Sequence, residues 1–480
     1  MIRAFALAVG LAAGAAAVDA PNILMLVADD WGGGDAGCYG NPDARTPVID
    51  ALAARGLRCD AAIVPAPQCA PSRAAVLTGR HIWQLAEAGV HASVFPPRFE
   101  TLPDRLQQAG WWVGWTGKGW GPGDWKVGGR ASDPCGPVWN GAYLNERRPD
   151  EGIANKDYAA NYRAFLDARP VGAAAFFWFG CHEPHRGYTA GAGGRDGFTV
   201  TRVPGHLPDT PEIRSDLADY HREVAWMDLQ LGEMLAELER RGERERTLVI
   251  VTSDNGRPFP GAKATCRDAG IRVPLIISGP GVRPGVCATP VSLVDLAPTI
   301  AARAGLAWDA DAAGRDRAAL LTDEAGRASD ADVPVGFERH SLARADDAGY
   351  PVRGLRTLNW LYLRNSHPER WPAGDPPRFG DIDNGPSKSV VLAVAGGGDG
   401  HPATAHRPAE ELYDLTADPV CLRNLVEDPA QVAVRAELRE RLAALLRAQG
   451  DPRELGEPGV FERAPRTVRG AQEREATSSR

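Results

Sequence analysis

Three strand-length apolar runs in this chain each end in a cluster of polar side chains, and few folds accommodate that pattern. Residues 22–28 lead into Asp29-Asp30, residues 173–179 into Cys181-His182-Glu183-Pro184-His185, and residues 247–252 into Ser253-Asp254-Asn255-Gly256. A strand that is apolar at successive positions, rather than at alternate ones, needs cover on both faces. Central strands of parallel sheets have that cover. Helical segments lie between the runs: 46–55 closed by Gly56, 102–109 ended by Gly110, 158–168, and 293–304. A long amphipathic helix is expected over 212–241, with Leu217, Tyr220, Val224, Met227, Leu231 and Leu235 at three- and four-residue spacing. Further strands are expected at 111–116 and 273–278. This alternation predicts an α/β fold with a doubly wound, mostly parallel sheet. Ligands of such sheets sit beyond the C-terminal strand ends, where the polar clusters fall.

Residues 307–332, rich in Ala, Asp, Gly and Arg, read as a connection. Beyond them, short strand-like runs at 360–363 and 412–413 and a helix over 432–448 predict a smaller α+β subdomain. The N-terminus reads as a signal peptide, with Arg3, a small apolar stretch over 4–17 and small-x-small sites ending at Ala17 and Ala20. That stretch is too short to span a bilayer. The expected organisation is a signal peptide at 1–20, a main domain at 21–325, a C-terminal subdomain at 326–462 and a charged, disordered tail at 463–480. The protein is expected to be exported, to the periplasm or beyond, with no membrane span after cleavage. The eight cysteines are scattered, with no Cys-x-x-Cys metal pattern and no evident pairing. A net charge of −8 argues against nucleic acid or an anionic membrane as partner. It does not exclude a small anion held by a few Arg and Lys.

The string from Cys69 to Arg80, Cys-Ala-Pro-Ser-Arg-Ala-Ala-Val-Leu-Thr-Gly-Arg, has a chemical logic. Pro71 presets φ for a first helical turn and lacks an N–H that would be orphaned there. The helix aims its positive end at position 69, and Arg73 adds a fork-shaped cation. Asp29-Asp30 and Asp254-Asn255 are two oxygen-rich pairs of the kind that hold a hard cation, although each alone also reads as a solvated loop or turn. His182 and His185, as a bare pair, resemble a zinc half-site.

Taken together, these residues resemble the signature of the type I sulfatases. The resemblance implies an alkaline-phosphatase-like fold with a smaller C-terminal subdomain. It implies that a maturation enzyme converts Cys69 to formylglycine, whose hydrate attacks sulfur and forms a covalent sulfo-enzyme. It implies one Ca2+ held by Asp29, Asp30, Asp254, Asn255 and the converted Cys69, with Arg73 beside them. Lys118, in Thr116-Gly117-Lys118-Gly119, and Lys263 take the places of the sulfate-binding cations. His182 takes that of the residue assisting the leaving group, with His185 close behind on the substrate side. Glu338-Arg339-His340 either reaches across to a sugar carboxylate or hydroxyl, through Glu338 and His340, or is a surface charge cluster. Residues 111–125, rich in Trp, either stack on a sugar or pack. The family pattern Gly-Lys-x-His departs here to Lys118-Gly119-Trp120. Tryptophan cannot act as a base, which leaves water or another histidine, such as His81, for that role.

Within the family the chain looks most like the heparan N-sulfatases. The shared strings are 182–186, 203–211, 253–260 and 411–419. The implied substrate is a sulfated sugar, N-sulfoglucosamine of heparan-type glycans. The alternatives are an O-sulfatase acting on glycans or aryl sulfates, a phosphatase or phosphonate hydrolase of the same superfamily, and a non-catalytic glycan-binding protein.

Overall fold

The computed structural model describes residues 20–467 apart from residue 397. All but Ala20 of the expected signal peptide, and the tail from 468 onward, lie outside the described residues. Eight strands form the main sheet: β1 (Asn22–Ala28), β2 (Leu57–Ile63), β3 (Trp112–Gly117), β4 (Ala175–Gly180), β5 (Thr247–Ser253), β6 (Arg272–Ser278), β7 (Gly285–Cys287) and β8 (Val291–Ser292). Their order is β3-β4-β1-β5-β6-β2-β7, with β8 also on β2. Strands β3, β4, β1 and β5 are parallel neighbours, while β6 runs antiparallel to both β5 and β2. The sheet is therefore mostly parallel, with one reversed strand that hydropathy does not distinguish from the others.

The unbroken apolar run of β1 has a simple cause. Ile23, Met25 and Val27 enter one apolar cluster, and Leu24, Leu26 and Ala28 enter the cluster on the other face. The helix Pro211–Arg240 covers the second face with Ile213, Leu217, Tyr220, Val224, Met227 and Leu231. Its start is set by Pro211 at the first helical position and by Thr210, whose side chain accepts from the Ile213 amide. The helix Cys69–Thr78 is buried at all ten positions and feeds Ala70, Ala74, Ala75, Val76 and Leu77 into the first cluster. It begins at Cys69, two residues before Pro71, so Cys69 lies inside the first turn rather than ahead of it. It ends at Gly79, at φ 65°, a left-handed position that glycine adopts without strain.

The C-terminal region carries a four-stranded antiparallel sheet in the order β12-β11-β10-β9, from β9 (Val333–Phe337), β10 (Val352–Arg356), β11 (Trp360–Asn365) and β12 (Glu410–Asp414). The helix Val432–Ala448 packs Leu438, Leu442 and Leu446 against Leu355, Tyr362 and Leu412. Strands β2, β9 and β10 and the helix Pro386–Ala395 have no counterpart in the sequence-based expectation. In β2, Arg58 and Asp60 interrupt the apolar pattern, and they pair with each other at 2.8 Å. The expected tail begins too early at 463. Ala464 is buried and its carbonyl accepts from Arg339, Arg466 pairs with Asp347 at 2.7 Å, and the Thr467 amide donates to the Ala92 carbonyl.

Candidate active site

Because β3, β4, β1 and β5 are adjacent and parallel, their C-terminal ends lie side by side and bring distant residues together. Lys118 follows β3, His182 and His185 follow β4, Asp29 and Asp30 follow β1, and Asp254 and Asn255 follow β5. The first turn of the helix Cys69–Thr78 completes the group. Asp29, Asp30, Cys69 and Asp254 each offer one ligand atom, all buried and within 4.8 Å of one another. Asp30 sits at φ 71°, a left-handed position that is strained for a residue with a Cβ. Its amide donates to Asp254 Oδ1 at 3.1 Å, and Asn255 Nδ2 donates to Asp30 Oδ1 at 2.7 Å.

Three cations face the three carboxylates. Arg73 is fully buried. Its Nε donates to Asp254 Oδ2 at 2.7 Å, its Nη2 lies 3.8 Å from Asp29, and its Nη1 donates to the Lys118 and Gly119 carbonyls. Lys118 Nζ lies 2.6 Å from Asp29 Oδ2. Lys263 Nζ bridges Asp30 at 2.7 Å and Asp383 at 3.0 Å. Burial opposes ionisation of Asp29, but Lys118, His185, Arg73 and Lys263 together hold its carboxyl well below the usual range. Burial pushes the Cys69 thiol far above its ordinary value. Lys118 opposes that rise, and Asp29 adds to it. Unconverted, Cys69 is a protonated thiol with Sγ 3.4 Å from Asp29 Oδ1, and a protonated thiol is a poor nucleophile. Burial lowers His182 to about 4, so its ring is neutral near pH 7.

The donor set fits a hard divalent cation. Asp29, Asp30 and Asp254 supply carboxylates, and Asn255 Oδ1 is a buried acceptor without any hydrogen-bond partner. The sulfur of Cys69 is the one soft donor among them. An oxygen-bearing group at position 69 would suit such an ion better than a thiol does.

A cavity of about 680 Å3 opens over this cluster. Asp29, Cys69, Lys118, His182, His185 and Lys263 line its floor, so the expected charged and histidine residues converge. His340 faces the same cavity from the C-terminal region. Glu338 does not, which corrects the expectation that it reaches a sugar. It is fully buried, 2.7 Å from Arg353 and 2.6 Å from Arg453. Glu338→Gln should therefore cost stability, about 2 kcal/mol in urea unfolding, because two guanidinium groups each lose one charged partner, with Asp451 left to Arg353 and Glu462 left to Arg453. It should leave KM for substrate unchanged. His81 also lies off the cavity, stacked on Trp83 with ring centroids 4.6 Å apart. Trp120 is buried, donates Nε1 to the Ala70 carbonyl at 3.1 Å and packs edge-on to Phe95. Its role is to brace the helix that carries Cys69. Sequence reasoning missed His91, Arg378, Asp383 and Lys388, which line the cavity. His91 stands alone between Val90 and Ala92, and the other three lie in loops or an unrecognised helix, so no spacing pattern marks them.

Comparison with known proteins adds four findings. The family model described as Sulfatase matches residues 21–306. The chain is 30% identical to the human protein N-sulphoglucosamine sulphohydrolase over 92% of this chain and 93% of that one. It is 29% identical to bovine arylsulfatase A over 93% of this chain and 91% of that one. Among solved structures, one in complex with its substrate D-glucosamine-2-N,6-O-disulfate shares the fold, with a TM-score of 0.66 and 19% identity over 90% of this chain and 98% of that one.

Proposed function

We propose that this chain, which belongs to the sulfatase family, removes the sulfo group from N-sulfoglucosamine at the end of a heparan-type glycan. The observation that carries this reading is the convergence of Asp29, Asp30, Asp254 and Asn255 on Cys69 beneath a cavity walled by cations. The similarity to N-sulphoglucosamine sulphohydrolase supports the choice of sugar. An O-sulfated sugar is the second reading, favoured by the nearly equal similarity to arylsulfatase A.

In this reading Cys69 is converted to formylglycine, and Asp29, Asp30, Asp254 and Asn255 hold one Ca2+ with it. Formylglycine supplies a hydrated aldehyde as nucleophile, and the ion stabilises negative charge on oxygen. The remaining chemistry belongs to this chain's side chains. Lys118 and Lys263 provide positive charge for the sulfo oxygens as charge builds in the transition state. The neutral ring of His182 donates an N–H to the leaving nitrogen or oxygen. Its backbone is held in place, since the His182 amide donates to the Tyr158 hydroxyl at 3.2 Å and that hydroxyl donates to Glu183 at 2.9 Å. Burial raises the Asp254 carboxyl to about 6, and Arg73 opposes that rise while orienting it as an acceptor. The charge balance suits an anionic substrate. Four carboxylates, Asp29, Asp30, Asp254 and Asp383, meet three cations, Arg73, Lys118 and Lys263, so a divalent ion would turn the balance positive toward an anion.

The test is a panel assay of the mature protein from its native host. N-sulfoglucosamine should be turned over at least roughly tenfold faster, as kcat/KM, than glucosamine 6-sulfate. Faster release from the 6-sulfate would establish the O-sulfatase reading. Turnover of neither would overturn both.

A further inference from the structure

The cavity is also lined by two histidines that the reaction described above does not use. His91 is 6% exposed, and its Nδ1 is buried without any hydrogen-bond partner. His340 is 5% exposed, and its ring meets that of His91 edge-on with centroids 4.4 Å apart. Both line the cavity that contains Cys69. A buried polar atom without a partner costs free energy, and one facing a ligand cavity is the usual exception. Behind His340 stands Asp381, a buried carboxylate tied down on several sides. Its Oδ1 accepts from the Ser341 amide at 3.0 Å and the Ser341 hydroxyl at 2.7 Å, and its Oδ2 accepts from Arg344 at 2.8 Å. His340 Nδ1 lies 3.2 Å from Asp381 Oδ1. The two meet at ion-pair distance without hydrogen-bond alignment, since His340 Nδ1 is itself a buried atom with no hydrogen-bond partner, and the carboxylate holds the ring with Nδ1 toward it.

We propose that His91 and His340 form a recognition pair for the hydroxyls of the sugar ring, and that Asp381 is a positioning residue that holds the orientation of the His340 ring. The proposal rests on the sulfated-sugar reading given above. Imidazole nitrogens exchange hydrogen bonds with hydroxyls, which both donate and accept, whereas Lys118 and Lys263 serve the sulfo oxygens. The pair is assembled from two parts of the chain. His91 comes from the loop after the Cys69–Thr78 helix, with its amide donating to the Arg339 carbonyl at 3.4 Å, and His340 follows β9. Neither part recognises the ring alone. Burial lowers His91 well below its ordinary value, and the neighbouring His340 adds to that, which keeps His91 neutral.

The experiment compares two substrates that share the sulfo group but differ in hydroxyls: N-sulfoglucosamine and 4-nitrophenyl sulfate. For H91N and H340N, the ratio of kcat/KM on the sugar to kcat/KM on the aryl sulfate should fall roughly 10- to 100-fold, carried mainly by KM. H340Q serves if H340N is poorly folded, as judged by its thermal midpoint. D381N should lower the same ratio about fivefold in an otherwise wild-type protein and have no further effect in the H340N background, since it acts through His340. An unchanged ratio in both histidine variants would overturn the pair, and an undiminished effect of D381N in H340N would overturn the positioning role. A separate arm measures glucosamine binding by calorimetry, which needs no turnover. If the wild type cleaves neither substrate, the proposed function fails. Weaker glucosamine binding by H91N and H340N would still support the pair, and unchanged binding would overturn it.

Discussion

Cys69→Ala should abolish turnover of every sulfated substrate, by at least about four orders of magnitude in kcat, while leaving the fold intact. The side chain removed is small, and its thiol makes only long contacts, 3.4 Å to Asp29 and 3.9 Å to Asp30, so little packing is lost. The chemistry lost is large, because no other nucleophile stands over the cluster among the described residues. Burial keeps the unconverted thiol protonated, so even the wild-type chain should be inactive when produced without a maturation enzyme. Mass analysis of the tryptic peptide spanning Cys59 to Arg73 separates these states. Conversion lowers its mass by about 18 Da, as CH2SH becomes CHO. Full activity on a sulfated sugar from protein whose peptide retains unmodified cysteine would refute the assignment. So would substantial activity in Cys69→Ala.

Arg73→Ala should be the most damaging substitution for the fold and the site together. Arg73 and Asp254 are both fully excluded from solvent and meet at 2.7 Å. Removing one partner of such a pair leaves an uncompensated buried charge, a loss of about 3–5 kcal/mol. Here the orphaned group would be Asp254, along with the Lys118 and Gly119 carbonyls that Nη1 now satisfies, while Asp29 keeps Lys118. Urea unfolding should show the loss as a lower midpoint at unchanged slope. Activity at a temperature where the variant is folded should fall by at least about a thousandfold, since Asp254 loses its orienting partner beside Cys69. Arg73→Lys returns the charge without the fork, and should recover part of the stability but little activity. A neutral effect of Arg73→Ala on both measures would mean that the observed pairing contributes nothing.

The two substitutions act on residues that were visible in the sequence, and their visibility has a cause. Asp29-Asp30 and Asp254-Asn255 stand out because each pair closely follows a run of strand residues buried on both faces, as β1 and β5 are. The register of a parallel sheet then places strand-end residues together. Cys69 and Arg73 stand out because four residues of one helix keep both on the same face. The reversed direction of β6 was not legible, since an antiparallel central strand is as apolar as a parallel one. Glu338 shows the limit from the other side. An Asp or Glu beside a histidine reads equally well as a ligand contact or an ion pair, and Arg353 and Arg453, which decide between them, lie 15 and 115 residues away.

Local order in the chain was therefore enough to mark the mostly parallel sheet, Cys69 with Arg73, and the Asp29-Asp30 and Asp254-Asn255 pairs, because each depends on residues a few places apart along one strand or helix. The part of the site contributed by His91 and His340 was decided only by tertiary packing. His91, His340 and the segment holding Asp381 and Asp383 come from three separate loops, and nothing in their spacing reports which of them meet. Their meeting depends on how the small antiparallel sheet docks over the strand ends, a contact between surfaces that no short stretch of sequence encodes.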